Sequence, residues 1–304
     1  MNGKELSFSA RVKSELCRAE VERKCCALAE AMGTLLFANT FSGDCIRIVT
    51  ESQDFGARLP RLFRKGLGTK FDVLPDPNTA GKLTYLITDE EKIKSVFSVC
   101  GFSARTSVSL HVNSALLEKE CCQRAFLRGA FLSGGSVTDP EKRYHLELST
   151  THISVSRETE TLLRDMNLTA KETERKGSSV LYYKQSEAIE DFLTAIGAPV
   201  SAMAVITAKI EKDWRNDANR KTNCDSANVD KAVAAAQEQL SVIRRLQERG
   251  ILETLPEKLR ETARLRREYP ETTLSELAQL HEPPISKSAV NHRMRKLLSL
   301  AGED

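Results

Sequence analysis

Apolar positions along the chain repeat one order of elements twice. In the first copy an apolar helical stretch with a central glycine covers about 22–40 and alternation predicts a strand at 44–51. Helical spacing returns at 54–66, and strands at 69–74 and 82–88 lead into a helix at 89–100. The second copy predicts a helix at 115–133, a strand at 143–150, a helix at 154–166, strands at 169–174 and 179–184 and a helix at 186–196. Tyr144 to Ser149 shows the two-residue period of a strand with one buried face.

The copies match at an offset of 96 residues. Glu22, Cys25, Cys26, Ala29 and Gly33 recur as Glu118, Cys121, Cys122, Ala125 and Gly129, and Gly101 recurs as Gly197. A glycine inside a helix costs ~1 kcal/mol against alanine, so its presence in both copies predicts a close helix approach. The simplest arrangement packs Gly33 on Gly129 at a pseudo-twofold axis.

Beyond Pro199 the pattern becomes helical through Ser201–Trp214 and Val229–Arg249. Between them Arg215–Asn228 is polar and carries Asn216, Asn219, Asn223 and Asn228, which favours a hinge over a loop that grips phosphates with Arg215, Arg220 and Lys221. Three shorter helices follow. Pro256 suits the first turn of one that Pro270 stops, and Thr273 with Glu276 forms a capping box for the next. Ser286 caps the third, whose Val290, Met294 and Leu297 have the spacing of a core face. Its other positions, Lys287, Ser288, Asn291, His292, Arg293, Arg295 and Lys296, are suited to a major groove. Ser288 and Asn291 would face base edges, and Lys287, Arg295 and Lys296 would neutralise phosphates.

Charge supports that placement only locally. The formal net charge is +3; residues 1–198 carry 27 basic and 26 acidic side chains and residues 199–304 carry 18 and 16. From Ser286 to Leu298, however, no acidic residue interrupts the basic ones. The eight cysteines form no C-x-x-C, and neighbours such as Cys25 and Cys26 point apart on a helix, so packed, reduced thiols are expected rather than zinc or any other cofactor. Neither a signal peptide nor a spanning segment is predicted, so the expectation is a cytoplasmic, nucleoid-associated protein without a membrane partner.

A duplicated unit of this order resembles the LAGLIDADG fold of homing endonucleases, through Ala29–Asn39 and Phe126–Gly135. The resemblance implies that each motif helix should end in an acid that holds a divalent metal. The matching positions are Ala38 and Gly134, which offer no ligand, and Asp44 and Asp139 fall beyond the motif ends. The strand residues Arg47, Glu51, Lys70, Asp72, Glu147, Lys171, Glu172 and Glu174 mix signs instead of building a basic groove.

With the C-terminal helices added, the chain resembles the WhiA family, most specifically through Phe126–Ser136, Arg215–Asn223 and Ile285–Arg295. The expected fold class is α+β: a duplicated LAGLIDADG-like domain at 21–198 after an N-terminal segment at 1–20, a helical linker at 199–255 and an all-α helix-turn-helix domain at 256–304. The resemblance implies a bacterial DNA-binding protein linked to sporulation, cell division and chromosome segregation. The expected function is a non-enzymatic transcription regulator on promoter DNA, partnered by another transcription factor or a division protein. The alternative is an interaction scaffold for the division or segregation machinery, with DNA as a tether.

Overall fold

The computed structural model describes residues 6–21, 23–76, 81–102 and 109–300, with the side chains of 225 and 227 left aside. Glu22 and the end of the expected C-terminal domain, 301–304, lie outside the described residues.

The chain opens with α1 (Phe8–Arg18), whose Phe8, Val12 and Leu16 recur every fourth residue and are buried. The first repeat then runs α2 (Lys24–Leu36), β1 (Thr40–Phe41), β2 (Ile46–Thr50), α3 (Gln53–Gly66), β3 (Leu83–Ile87) and α4 (Glu90–Cys100). The second runs α5 (Glu120–Gly134), β4 (Gly135–Val137), β5 (Leu146–Thr150), α6 (Ile153–Asp165), β6 (Lys171–Arg175), β7 (Ser178–Tyr183) and α7 (Ser186–Ile196). Both sheets are antiparallel, ordered β1-β2-β3 and β4-β5-β7-β6. The fold is therefore α+β, with two repeats sharing one apolar core.

α2 and α5 cross at the two glycines. A Cβ on Gly33 would stand 2.1 Å from the Phe126 carbonyl oxygen, and one on Gly129 would stand 2.0 Å from that of Glu30. Residues 30 and 126 occupy equivalent positions in the two copies, so the contact obeys the pseudo-twofold axis. The closing helices repeat as faithfully. Gly101 and Gly197 both end their helices in the left-handed conformation, at φ 84° and 96°. Phe102 and Ala198 then donate to the Phe97 and Leu193 carbonyls at 2.8 Å each.

At the axis lies a buried charge. Glu30, fully excluded from solvent, accepts from Arg58 Nε at 2.6 Å and Nη2 at 2.9 Å. Arg128 of the second repeat reaches the same carboxylate at 3.5 Å and donates its Nε to the Ile196 carbonyl at 2.8 Å.

One predicted strand is absent. Residues 69–74 contribute a lone bridge between Val73 and Leu86 where the second copy has β6. Pro75 follows at once and has no N–H for a ladder. Asp72 is drawn to the start of α4, where it accepts from the Thr88 and Asp89 amides at 2.7 and 2.9 Å and pairs with Lys92.

After α7 comes α8 (Pro199–Glu248), followed by α9 (Glu257–Glu268), α10 (Leu274–Gln279) and α11 (Lys287–Leu300). The chain divides into compact units 1–213 and 214–304, so the division falls within α8. The polar break expected at 215–228 does not occur. No glycine or proline stands between Val200 and Glu248, and isolated asparagines lower helix propensity by only about half a kcal/mol each. In the N-terminal unit, Ala202 and Val205 join the core, and Glu15 of α1 accepts from the Val200 and Ser201 amides at 2.7 and 2.9 Å. The C-terminal unit has its own core, which begins at Val242, Ile243 and Leu246, earlier than the expected boundary at 256.

Candidate nucleic-acid interface

The C-terminal core is closed by α9, α10 and α11. Thr273 and Glu276 cap α10 reciprocally, with Thr273 N donating to Glu276 Oε2 at 2.8 Å and Glu276 N to Thr273 Oγ1 at 3.2 Å. These bonds hold the Glu276 carboxyl below the usual carboxylate range. Ser286 Oγ accepts from Ala289 N at 3.2 Å and starts α11. Val290, Met294 and Leu297 are buried against Leu259, Ala263, Leu277 and Ala278.

Burying that stripe turns the other side of α11 outward. Ser286, Lys287, Ser288, His292, Arg295 and Lys296 are exposed and Asn291 is half-buried. At about 100° per residue, positions 287, 288, 291, 292, 295 and 296 fan over roughly half a turn, with Arg295 and Ser288 at its middle and Asn291 and His292 on either side. Among the described residues, none of Lys287, Arg295 and Lys296 is ion-paired within the protein. The arrangement offers hydrogen-bonding groups for base edges flanked by cations for phosphates.

Arg293 departs from the expected set. Its side chain retains 16% of its accessibility and lies 3.8 Å from Glu261. Its Nη1 donates to the Lys258 carbonyl and Thr262 Oγ1, both at 3.3 Å. Being three residues after Val290 and four before Leu297 puts it beside the buried stripe, so it binds α11 to α9. His281 is buried nearby, its Nδ1 3.2 Å from Glu261 and its Nε2 3.4 Å from Thr262 Oγ1. Arg266, also buried, donates to the Thr272 carbonyl at 2.6 Å and ties α9 to the loop before α10. Sequence reading passed over both because a polar residue at a core position is legible only through its partners.

Arg215, Arg220 and Lys221 are exposed on α8. Relative to Arg215 the other two lie roughly 140° and 240° around the helix axis, so the three do not share a face.

The positions that match the nuclease carboxylates carry no side-chain ligand. Ala38 is half-buried just past α2. A Cβ at Gly134 would meet the Ser149 carbonyl oxygen at 2.5 Å and Phe37 Cβ at 3.1 Å. Asp139 instead shapes a turn, accepting from the Glu141 amide at 3.0 Å, and Asp44 is exposed in the turn closed by Ser42 and Cys45. On the second sheet the Glu147 carboxylate is paired with His145 at 3.2 Å and Arg175 at 3.1 Å, which cancels charge on that surface.

Among the described residues, the one group of three or more His, Cys, Asp and Glu side chains within ligand range is made of thiols, those of Cys25, Cys26 and Cys122. All eight cysteines are free thiols, and three of them gather where the two repeats meet. Divergence of neighbours on one helix does not keep pairs on two helices apart. The signal was present in the repeated cysteine pair together with the Gly33–Gly129 contact.

Residues 123–215 match the WhiA LAGLIDADG-like domain and residues 218–301 match the WhiA C-terminal HTH domain. A probable cell division protein WhiA from Ruminiclostridium cellulolyticum is 39% identical over 97% of both chains. The chain belongs to the WhiA family. A second WhiA relative, the probable cell division protein of Heliobacterium modesticaldum, is also 39% identical, over 97% of this chain and 96% of its own. Full-length DUF199/WhiA from Thermatoga maritima has a similar fold, with TM-score 0.60, 24% identity and 98% of each chain covered. In WhiA terms, the duplicated unit is the LAGLIDADG-like domain, and the C-terminal HTH domain runs from within α8 through α11. No described helix is long and apolar enough to cross a membrane.

Proposed function

We propose that the chain is a sequence-specific, double-stranded DNA-binding transcription regulator serving cell division, chromosome segregation or sporulation, and that it does not cut DNA. The observation that carries this reading is the exposed, acid-free arc of α11, in which Asn291, Arg295 and Ser288 are flanked by Lys287 and Lys296. Laid in a major groove, Asn291 discriminates base edges by ~1–3 kcal/mol for a well-formed pair, while Arg295 and the two lysines lie against phosphates. The names of the WhiA relatives support the cellular role. The lack of ligands at Ala38 and Gly134 supports a duplicated domain that serves as scaffold or docking surface, without metal-assisted hydrolysis.

A single recognition helix covers few base pairs, so a second copy, another transcription factor or a division protein extends the site. The protein works at promoters on the nucleoid. Genome-wide mapping of bound DNA tests the reading. Discrete peaks at promoters sharing a short sequence are expected, whereas even coverage set only by DNA abundance contradicts specificity. Incubating purified protein with supercoiled duplex and Mg2+ or Mn2+ should leave the DNA uncut.

A further inference from the structure

Crossing of α2 and α5 at the two glycines brings their first turns together, and each first turn carries two cysteines. Cys25 and Cys26 are the second and third residues of α2, and Cys121 and Cys122 hold the same places in α5. The Sγ atoms of Cys25, Cys26 and Cys122 all lie within 4.8 Å of one another. The fourth thiol, Cys121, stands outside that mutual range and neighbours Cys26 and Cys122. The crossing thus gathers three mutually close sulfurs with a fourth beside them, two from each repeat.

The geometry points to a tetrathiolate zinc site made by Cys25, Cys26, Cys121 and Cys122, which ties the two repeats together at the entrance to their helix interface. In a tetrahedral site with Zn–S bonds of ~2.3 Å the sulfurs stand roughly 3.8 Å apart, which asks a small contraction of Cys25, Cys26 and Cys122 and a closer approach of Cys121. A divalent ion among four thiolates carries a net charge of −2, and the surroundings suit it. Neither α2 nor α5 has a side-chain cap, so two positive helix N-termini face the cluster. The residues at the two cap positions are Arg23 and Lys119, and Arg23 Nη1 lies 3.8 Å from Cys121 Sγ. No oxygen ligand joins the group, which favours a thiophilic ion over magnesium or calcium. On binding, each thiol loses its proton as its sulfur bonds to zinc, and no electron is transferred. With all four positions taken by protein, the site is structural and has no place for substrate.

Cobalt(II) titration of the full-length, reduced, metal-free protein tests this. Wild type should take up one Co2+ per chain with the intense visible bands and thiolate-to-metal charge transfer of tetrahedral CoS4, and Zn2+ should bleach them. Cys25→Ser and Cys122→Ser should each weaken and shift these bands, while Cys224→Ser, at an exposed position on α8, should leave them unchanged. Weak octahedral bands in wild type, or full bands in both variants, would overturn the site. Should the variants fail to fold, wild type alone decides through its thiols. Zinc should protect four of the eight cysteines from a thiol reagent. Protection of none, or an inter-repeat disulfide in place of metal uptake, contradicts the proposal.

Discussion

Gly33 and Gly129 meet across the pseudo-twofold axis so closely that the Cβ either one lacks would overlap a backbone carbonyl of the facing helix, at 2.1 and 2.0 Å. A flexible side chain could move away from such an overlap, but a helix backbone moves only with its helix. Gly129→Ala should therefore separate α2 from α5 and loosen the core between them. The expected loss is about 3 kcal/mol, at the upper end of the usual overpacking range. Urea unfolding checks it, and a midpoint unchanged from wild type would contradict the crossing.

Glu30 lies at the same crossing and answers two arginines, one from each repeat. Glu30→Gln keeps the shape and removes the charge, leaving Arg58 and Arg128 without a counter-ion in a dry setting. Removing one partner of a buried pair costs about 3–5 kcal/mol, and a fall of that size in unfolding free energy is expected. Arg58→Lys should recover little, because a lysine cannot reproduce the two-pronged contact.

Asp72 gives the N-terminal unit a pH dependence. The hydrogen bond from Lys92, with the Asp89 and Thr88 amides, lowers its carboxyl from 3.8 to about 2. A folded-state value below the unfolded one means that this contribution is fully present above about pH 4. It is lost as pH falls from 3.8 towards 2. Stability measured across that interval should fall less steeply in Asp72→Asn than in wild type; parallel curves would contradict the assignment.

Arg293 and Arg295 stand two residues apart on α11 and should separate in their effects. Arg293→Ala removes contacts to Lys258 and Thr262 and leaves Glu261 short of a cation, so it should lower the unfolding midpoint of the C-terminal unit. Arg295→Ala should leave that midpoint within experimental error, since its side chain is exposed. Differential scanning calorimetry of both variants distinguishes the roles.

Much of this architecture was legible in residue order. The repeated glycines announced the crossing, and Thr273, Glu276 and Ser286 marked helix starts that the hydrogen bonds display. Features that depend on partners distant in sequence were less legible. The 215–228 segment looks like a break by asparagine content, yet without glycine or proline the helix continues. The strand expected at 69–74 was lost to Pro75 and to the pull of Asp72 towards α4. Arg293 was assigned by charge, when its place beside Val290 and Leu297 decides its direction. The thiol cluster required combining the cysteine repeat with the helix crossing, two observations that were each on view but had been read apart.

The outward arc of α11 bears the central claim, and salt-dependent duplex binding by the full-length protein tests it most directly. Arg295→Ala should weaken binding and reduce the slope of log affinity against log salt by ~1, the share of one phosphate contact. Asn291→Ala should preserve the slope and reduce the preference for a mapped site over scrambled duplex, by an amount equivalent to ~1–3 kcal/mol. Affinity, slope and preference all unchanged in both variants would contradict DNA reading by this helix.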